Sequence, residues 1–388
     1  MSRSILLLTL TTTLACAPDM PPEENPTTDD SGAVRYPDLP TLDAVITEEM
    51  SAGDVPGLAA CIIKDGQTAW CSGYGYANLQ SELTVTPTTP FMLASTSKTI
   101  VGVALMHLAE TGAIGLDEPI NDHLDFAVTH PEDPGTDITA RMLLSHTSGI
   151  DDNWNVMSAM VVDGDSPVSL GAFMEGYLTP AGQWYSAAQN FRSEGVTGIT
   201  EYSNIGVALA AYLVEAVSGQ DFADYCAQHI FTPLQMENTG WHLADFDEAT
   251  VAVPYEWYSD DWHGLSHYGY PDYPDGGLRT GAEPLSRFLT MFVSDGTLDS
   301  AEILSPESVA EMQQAHYPGL HSTQGLIWYD WTVDGTTVTG HNGGDYGVST
   351  EMGFTADGTG FVVLMNGAGQ NRTLENIEAA MLEAAASL

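Results

Sequence analysis

The chain has 388 residues, 43% of them hydrophobic and 9% aromatic, a composition typical of a globular protein with a substantial core. Its 9 lysines and arginines are outnumbered by 53 aspartates and glutamates, which gives a formal net charge of -44. This charge excludes nucleic acid as a partner, because phosphate binding requires a basic surface. A composition this acidic also predicts adaptation to high salt, where charge repulsion is screened.

The first 35 residues predict export. Arg3 precedes an apolar, threonine-rich stretch, Ile5 to Leu14, which is too short to span a bilayer and is typical of a signal peptide. The four residues ending at Cys16 resemble a bacterial lipobox, so we expect a signal peptide over 1–16 and lipidation of Cys16; a plain secretory signal is the alternative. Residues 17–35 are acidic and proline-rich and predict an extended linker. We therefore expect an exported protein at the periplasmic or extracellular face, held to the membrane by lipid.

A helix and a β-hairpin are predicted next. Apolar residues recur at helical spacing from Leu42 to Met50. The apolar runs Gly57 to Lys64 and Thr68 to Tyr74 are separated by a turn sequence. Such a hairpin places Cys61 opposite Cys71, and an exported protein can oxidise the pair to a disulfide. Two unpaired, hydrophobic cysteines are the alternative.

One of only two lysines in the chain lies three residues after a serine, at Ser95 and Lys98. A helix predicted from Ser95 to Thr111 places both side chains on one face. Unlike arginine, a buried lysine can lose its proton, and a neutral amine beside a hydroxyl is a general base beside a nucleophile. The helix N-terminus favours an oxyanion near Ser95 and opposes protonation of Lys98. The spacing predicts an active-site serine with a deprotonated lysine; an N-cap serine followed by a solvated lysine is the alternative.

The pattern from about 112 to 275 is mainly helical, most clearly in Arg141 to His146 and Ile205 to Val217. Tyr202 and Asn204 directly precede the second of these helices. A phenol near a neutral lysine could carry the serine proton, and the carboxamide could hold a substrate amide. Taken alone, this segment is more typical of a capped helix start.

Four short strands and a final helix are predicted after about residue 280, the strands being Gln324 to Trp331, Thr336 to Gly340, Val348 to Thr355 and Gly360 to Asn366. His341, Asn342, Gly343 and Gly344 follow the second strand. Glycines there allow a substrate backbone to approach closely, and an edge strand can pair with a peptide-like ligand.

The Ser-x-x-Lys, Tyr-x-Asn and His-x-Gly signatures, which begin at Ser95, Tyr202 and His341, occur in the order found in the penicillin-recognising serine hydrolases. The chain resembles the branch that contains class C β-lactamases, DD-carboxypeptidases and related esterases. The resemblance covers nearly the whole mature chain. It implies an α/β (α+β) domain over 36–388, with an antiparallel sheet flanked by terminal helices and a mainly helical subdomain inserted at about 112–275. It implies neither a metal nor an organic cofactor.

The resemblance also implies a role for each residue. Ser95 attacks a carbonyl and becomes acylated, while Lys98 and Tyr202 move the proton from the serine to the leaving group. The backbone N–H groups of Ser95 and Gly344 form the oxyanion hole. Asn204 contacts the substrate's acyl amide.

The third signature departs from the Lys-Thr-Gly typical of β-lactamases in this branch. His341, Asn342 and Gly343 would bind substrate there, but histidine is only partly charged near neutral pH and Asn342 lacks the usual hydroxyl. The departure favours a DD-carboxypeptidase or other peptidase-like enzyme, or an esterase, acting on a small-molecule, peptide or ester substrate. A β-lactamase and a non-catalytic penicillin-binding sensor are the alternatives. We expect the affinity for anionic substrates to weaken as pH rises through the titration of His341.

Other segments carry no comparable signal. The chain has neither the Gly-x-Ser-x-Gly of α/β-hydrolases nor the His-Glu-x-x-His of zinc hydrolases. His146 is interpreted as a structural residue at a helix end. Asp151 and Asp152 are interpreted as a solvated acidic loop.

Overall fold

The computed structural model describes residues 27–28, 34–370 and 372–388. The predicted signal peptide, Cys16 and most of the predicted linker lie outside the described residues. Within the described ranges, no helix is both long and apolar enough to cross a membrane.

A seven-stranded antiparallel sheet lies at the centre of the fold. Its strands in chain order are β1 (Gly57–Lys64), β2 (Gln67–Asn78), β3 (Leu83–Thr84), β4 (Tyr329–Val333), β5 (Thr336–Asp345), β6 (Val348–Phe354) and β7 (Gly360–Met365). Their order in space is β4-β5-β6-β7-β1-β2-β3. The two ends of the chain therefore meet where β7 pairs with β1.

Helices cover both faces of the sheet. Those of eight or more residues in the described part of the chain are α1 (Pro40–Ala52), α2 (Lys98–Glu110), α3 (Leu170–Leu178), α4 (Asn204–Ser218), α5 (Ala282–Val293), α6 (Pro306–Gln313) and α7 (Thr373–Ala385). The terminal helices α1 and α7 bury Ile46 and Ile377 with Ile62 of β1 on one face. Helix α5 buries Phe288 with Ile63 on the other face, because successive strand residues point to opposite sides. The antiparallel sheet and flanking terminal helices expected from the sequence are confirmed.

Shorter elements complete the chain between β3 and β4. The short helices and helical turns are Ala94–Ser97, Ile120–Asp122, Ala140–Leu144, Trp154–Met157, Ser158–Met160, Phe222–Cys226, Ala227–Phe231, Leu243–Asp245, Glu248–Thr250 and Tyr273–Asp275. The short strand pairs are Phe91–Met92 with Arg279–Thr280, Val162–Asp163 with Tyr268–Gly269, Tyr255–Tyr258 with Asp261–Gly264 and Thr297–Leu298 with Ala301–Glu302, while Thr27–Thr28 pairs with Val34–Arg35 before α1.

The β1–β2 hairpin holds the two cysteines opposite each other. Cys61 and Cys71 are direct cross-strand partners, and a disulfide joins them. Asp65 and Gly66, with φ of 50° and 73°, form the turn. Both adopt the left-handed region that two-residue hairpin turns require.

Strand β5 is longer than predicted and carries the whole third signature. Residues from His341 to Asp345 each pair with a residue of β6. Glycine and asparagine are poor strand formers, but cross-strand pairing outweighs their propensity. On its other side β5 loses its partner, because β4 begins opposite Gly340. Residues 341–345 therefore form a strand edge that faces the helical region.

The strand predicted from Gln324 is wrong over its first half. Only Tyr329 onward belongs to β4, and Gln324 forms an isolated bridge with Tyr329. Leu326 and Ile327 are fully buried, and Ile327 has a φ of 72°. The apolar run is therefore a loop that fills the core, a case that hydrophobicity alone does not distinguish from a strand.

Candidate active site

Ser95 lies in a tight turn that leads directly into α2. Residues Ala94–Ser97 form one turn of 3-10 helix, and α2 follows at Lys98. Ala94, just before the serine, has a φ of 48°, a strained conformation that costs about 1–3 kcal/mol and recurs at functional sites. The turn brings Ser95 to the wall of a cavity of about 250 Å³.

Lys98 is fully buried beneath Ser95. Its Nζ donates to Ser95 Oγ at 3.0 Å and to the backbone oxygen of Asp275 at 2.5 Å. The same nitrogen lies 5.1 Å from the ring centroid of Tyr202. The first two signatures, far apart in sequence, therefore meet at one point.

The charges around Lys98 act against the expected neutral amine. Burial disfavours its charged form, but Tyr202 and the carboxyl groups of Asp275 and Asp152 act in the opposite direction, and the pKa of Lys98 is raised above its usual value. This direction favours the ammonium form of Lys98. It donates a hydrogen bond to Ser95. As a cation it also stabilises an oxyanion or phenolate that forms beside it.

Two buried carboxyl groups lie under the same cavity, at Asp272 and Asp275. Burial raises the pKa of Asp272 to about 6 and that of Asp275 well above its usual value, and each carboxyl hydrogen-bonds to the other. Because two adjacent buried carboxyl groups cannot both stay ionised, the pair shares a proton. Nothing in the sequence pattern indicated this pair.

Asp152 is not part of a solvated loop, contrary to the sequence interpretation. Its carboxylate accepts hydrogen bonds from Asn204 N at 3.0 Å, Asn204 Nδ2 at 2.8 Å, Ile205 N at 3.1 Å and Ser203 Oγ at 3.3 Å. These contacts satisfy the free N–H groups at the start of α4. Asp152 thereby fixes the carboxamide of Asn204 at the cavity wall. Its neighbour Asp151 forms an ion pair with Arg192 at 2.8 Å.

Tyr202 projects into the cavity from the segment before α4 and is 41% exposed. Its ring packs on His146, with centroids 4.6 Å apart. The His146 Nδ1 accepts from Ser203 N at 3.2 Å, and burial lowers the pKa of His146 to about 3. A neutral imidazole therefore positions Tyr202, in agreement with a structural role for His146.

His341 is also buried and neutral. Burial, with Lys98 as a second cause, lowers its pKa to about 3. Its Nδ1 bonds to the backbone oxygen of Asn342 at 2.6 Å, and its ring lies 5.4 Å from that of Tyr329 and 6.1 Å from that of Tyr202. The expected titration of His341 near neutral pH is therefore wrong, because the sequence does not show that the imidazole is desolvated.

Asn342 does not line this cavity. Strand alternation turns its side chain to the opposite face of the sheet, where it lines a second cavity with Trp331, Glu351 and Glu378. The expectation that Asn342 binds substrate is therefore wrong. The reason is that the signature lies within a strand, so that neighbouring side chains point apart.

Gly343 and Gly344 bring the edge of β5 against the serine turn. A Cβ on Gly343 would lie 2.9 Å from Ser95 N and would meet Leu93 O, so only glycine allows this approach. Gly344 faces open space and lines the cavity with Ser95. Thr350 of β6 secures the contact by donating to Leu93 O at 2.5 Å. Sequence reasoning missed Thr350, which no local pattern distinguishes from other strand threonines.

The remaining cavity wall is mainly apolar and aromatic, formed by Trp154, Met157, Val161, Tyr270 and Tyr346, and Ser158 and Asp345 are its polar members. No lysine or arginine is among the residues that line it. Across the described ranges, no cluster of three or more His, Cys, Asp or Glu side chains is placed to hold a metal ion.

Comparison with known proteins agrees with this architecture. A match to the family described as Beta-lactamase covers residues 42–386. The protein flp of Staphylococcus aureus (strain MW2) is 25% identical over 215 residues, which are 55% of this chain and 41% of flp. The chain thus matches less than half the length of that relative.

Two solved structures share the fold. A penicillin-binding protein from Bacillus halodurans has a TM-score of 0.71 and 22% identity, over 89% of this chain and 99% of that one. A D-amino acid amidase from Ochrobactrum anthropi SV3 has a TM-score of 0.70 and 22% identity, with the same coverage of both chains. From the family match over most of its length, we conclude that the chain belongs to the β-lactamase family of serine hydrolases.

Proposed function

We propose that this protein hydrolyses ester or amide bonds through an acyl intermediate on Ser95. The observation that carries the proposal is the hydrogen bond from Lys98 Nζ to Ser95 Oγ, 3.0 Å long, at the wall of an accessible cavity. A serine hydroxyl paired with a buried cation and bordered by a phenol has the parts of a nucleophile, an electrostatic stabiliser and a proton carrier.

The proposed reaction has two balanced steps. In the first, Ser95 Oγ forms a bond to the substrate carbonyl carbon and its proton passes through the Tyr202 oxygen to the leaving amine or alcohol, as the bond to that group breaks. In the second, water attacks the acyl-serine ester, its proton returns to Ser95 by the same route, and a carboxylic acid is released. The Lys98 ammonium stabilises negative charge on Ser95 and Tyr202, while the N–H groups of Ser95 and Gly344 receive the carbonyl oxygen.

The charges at the site favour an esterase or an amidase over a DD-carboxypeptidase or a β-lactamase. Substrates of the latter two present a carboxylate, which requires a cationic partner. His341 is neutral and buried, and no lysine or arginine lines the cavity. An uncharged ester or amide requires no such partner. The shared fold of the D-amino acid amidase supports amide cleavage within this architecture.

A substrate panel tests the proposal. Wild type and Ser95→Ala would be incubated with p-nitrophenyl acetate, an acyl p-nitroanilide, a peptide ending in D-Ala-D-Ala and a penicillin. We expect multiple turnovers of the ester or anilide that Ser95→Ala abolishes. Preferred turnover of the D-Ala-D-Ala peptide would indicate a DD-carboxypeptidase, and preferred turnover of penicillin a β-lactamase. A stable penicillin adduct without turnover would indicate a sensor.

We further propose that the protein is exported and lipidated at Cys16. The disulfide between Cys61 and Cys71 supports an oxidising compartment. Expression of wild type and Cys16→Ser in a bacterial host tests the proposal through detergent partitioning. Equal partitioning of the two forms into the aqueous phase would contradict lipidation.

A further inference from the structure

We propose that the cavity behind β5 is a second binding site, where Glu351, Glu378 and Asn342 accept hydrogen bonds from the primary ammonium group of a small molecule. This cavity has a volume of about 670 Å³ and lies between the edge of the sheet and the first turns of α7. No residue lines both this cavity and the one that contains Ser95. The inference goes beyond the proposed hydrolysis and does not depend on it.

Two carboxyl groups form the floor of this cavity. Glu378 of α7 is 1% exposed, and Glu351 of β6 is 6% exposed. Burial raises the pKa of both groups, that of Glu351 to about 11, and the protonated Glu351 carboxyl donates a hydrogen bond to Glu378. Because two adjacent buried carboxyl groups cannot both stay ionised, the pair shares one proton and keeps one negative charge.

The protein does not balance this charge with a cation of its own. No described lysine, arginine or histidine forms an ion pair with Glu351 or Glu378. Arg372 lies at the rim of the cavity, but its side chain is 75% exposed and pairs with Glu375 at 3.4 Å. The groups that act on the pKa of the buried pair are its own carboxyl groups, the carboxyl of Glu375 and the indole of Trp331. The negative charge is therefore left for a ligand to neutralise.

Glu378 also has an acceptor that the protein does not use. Trp331 Nε1 donates to its Oε2 at 3.4 Å, whereas its buried Oε1 receives no hydrogen bond from any described donor. A buried acceptor without a donor is destabilising unless a ligand or a water molecule supplies the missing hydrogen bond. This unpaired oxygen indicates a ligand independently of the acidity of the cavity.

Asn342 supplies a third acceptor beside the pair. It is the direct cross-strand partner of Glu351, so that the two Cβ atoms are about 5 Å apart on one face of the sheet. Because β4 begins opposite Gly340, the Asn342 side chain is exposed at the cavity. An ammonium group has three N–H donors and no acceptor. These donors match two carboxyl groups and one carboxamide oxygen.

The other walls of the cavity fit the carbon chain of an amine. The rings of Tyr329 and Trp331 lie 5.4 Å apart, and Val333, Leu374 and Ala379 also line the cavity. Aromatic faces attract an ammonium group, and aliphatic side chains pack against methylene groups. A calcium ion would instead require about six oxygen ligands or more, and no described cluster of three or more His, Cys, Asp or Glu side chains is placed to hold a metal. The chemistry of the cavity therefore favours an alkylammonium ligand.

Calorimetric titration with hexylamine, a primary amine that is protonated at neutral pH, tests the site. Hexanol and hexanoate are matched probes that lack the positive charge. Physiological salt screens the general attraction of cations to a chain with a formal net charge of -44. We expect hexylamine to bind at one site per chain with a Kd of about 1 mM or lower, and hexanol and hexanoate to bind at least about tenfold more weakly.

Substitutions in the cavity separate the charge from the shape. Glu351→Gln keeps a neutral donor to Glu378 and leaves the charge of that carboxylate, so the Kd for hexylamine should change by less than about threefold. The double variant that combines Glu351→Gln with Glu378→Gln removes the charge, and the Kd should rise by about 10- to 100-fold. Asn342→Ala, at an exposed position, should raise the Kd by about tenfold and provides a second test if the double variant does not fold.

Two control variants remove one negative charge outside this cavity. Asp65→Asn changes the exposed turn of the β1–β2 hairpin, where asparagine tolerates the left-handed conformation. Asp345→Asn changes the cavity that contains Ser95. Both variants should bind hexylamine with the wild-type Kd.

Three results would overturn the inference. The first is equal affinity of wild type for hexylamine and hexanol, or a Kd unaltered in both the double variant and Asn342→Ala. The second is loss of binding in Asp345→Asn, which would place the amine in the cavity that contains Ser95. The third is displacement of hexylamine by an equimolar calcium salt, which would identify a metal site instead. Because each readout is a binding constant, a failure of the proposed hydrolysis would leave this inference standing.

Discussion

Gly343→Ala tests the close approach of β5 to the serine turn. A Cβ at this position would lie 2.5 Å from Thr350 Oγ1 and 2.9 Å from Ser95 N, against an ordinary contact of 3.4 Å or more. Strand β5 would therefore have to retreat by about 1 Å. Because β5 also carries Gly344, the retreat would widen the oxyanion hole, and a misplacement of about 1 Å costs about 100-fold in rate.

The burst of p-nitrophenol from p-nitrophenyl acetate measures the acylation rate directly. We expect this rate to fall about 100-fold in Gly343→Ala, while circular dichroism shows an intact fold. Gly135→Ala is the matched control, because a Cβ on Gly135 would meet nothing within 4 Å, and its rate should match wild type. An acylation rate of Gly343→Ala within about threefold of wild type would refute the assignment of β5 to the oxyanion hole.

Four further predictions concern stability. Asp152→Ala leaves several buried donors at the start of α4 unpaired, so urea denaturation should show a loss of about 3 kcal/mol; a loss below about 1 kcal/mol would contradict the capping role. Replacing both Cys61 and Cys71 by alanine opens a loop of sequence separation 10 and should cost about 3 kcal/mol, whereas an unchanged urea midpoint would contradict this. Burial lowers the pKa of His341 to about 3, whereas its pKa in the unfolded chain is about 6.5. The stability that comes from the neutral imidazole is therefore fully present above about pH 6.5 and is lost as the pH falls towards 3. Wild type should therefore lose about 2 kcal/mol relative to His341→Gln between pH 8 and pH 5, and a constant difference would contradict the burial of a neutral imidazole. With a formal net charge of -44, the melting temperature should rise in molar salt, and salt-independent melting would contradict the predicted adaptation.

The elements that the sequence predicted well are those specified locally. The β1–β2 hairpin follows from two apolar runs and a turn, and its register alone places Cys61 opposite Cys71. The helix after Ser95 follows from apolar spacing, and three residues of helical turn suffice to bring Lys98 to the serine. Both predictions require only contacts between residues that are near in sequence.

The errors concern burial and charge, which arise from contacts between distant segments. Asp152 is a half-buried helix cap only because its loop packs against the start of α4, 52 residues later. The pKa of Lys98 is raised because folding brings Tyr202 and the carboxyl groups of Asp275 and Asp152 close to it. His341 is neutral because the strand that carries it packs against the helical region. In each case the protonation or exposure of the residue depends on tertiary packing.

The identity of the acylated residue tests the central claim most directly. Wild type and Ser95→Ala would be mixed with p-nitrophenyl acetate, quenched in acid within the first turnovers, and examined by intact mass and peptide mapping. The proposed mechanism predicts one acetyl group per wild-type chain, on the peptide that contains Ser95, and none on Ser95→Ala. Acetylation at another residue, or turnover by Ser95→Ala at the wild-type rate, would contradict it.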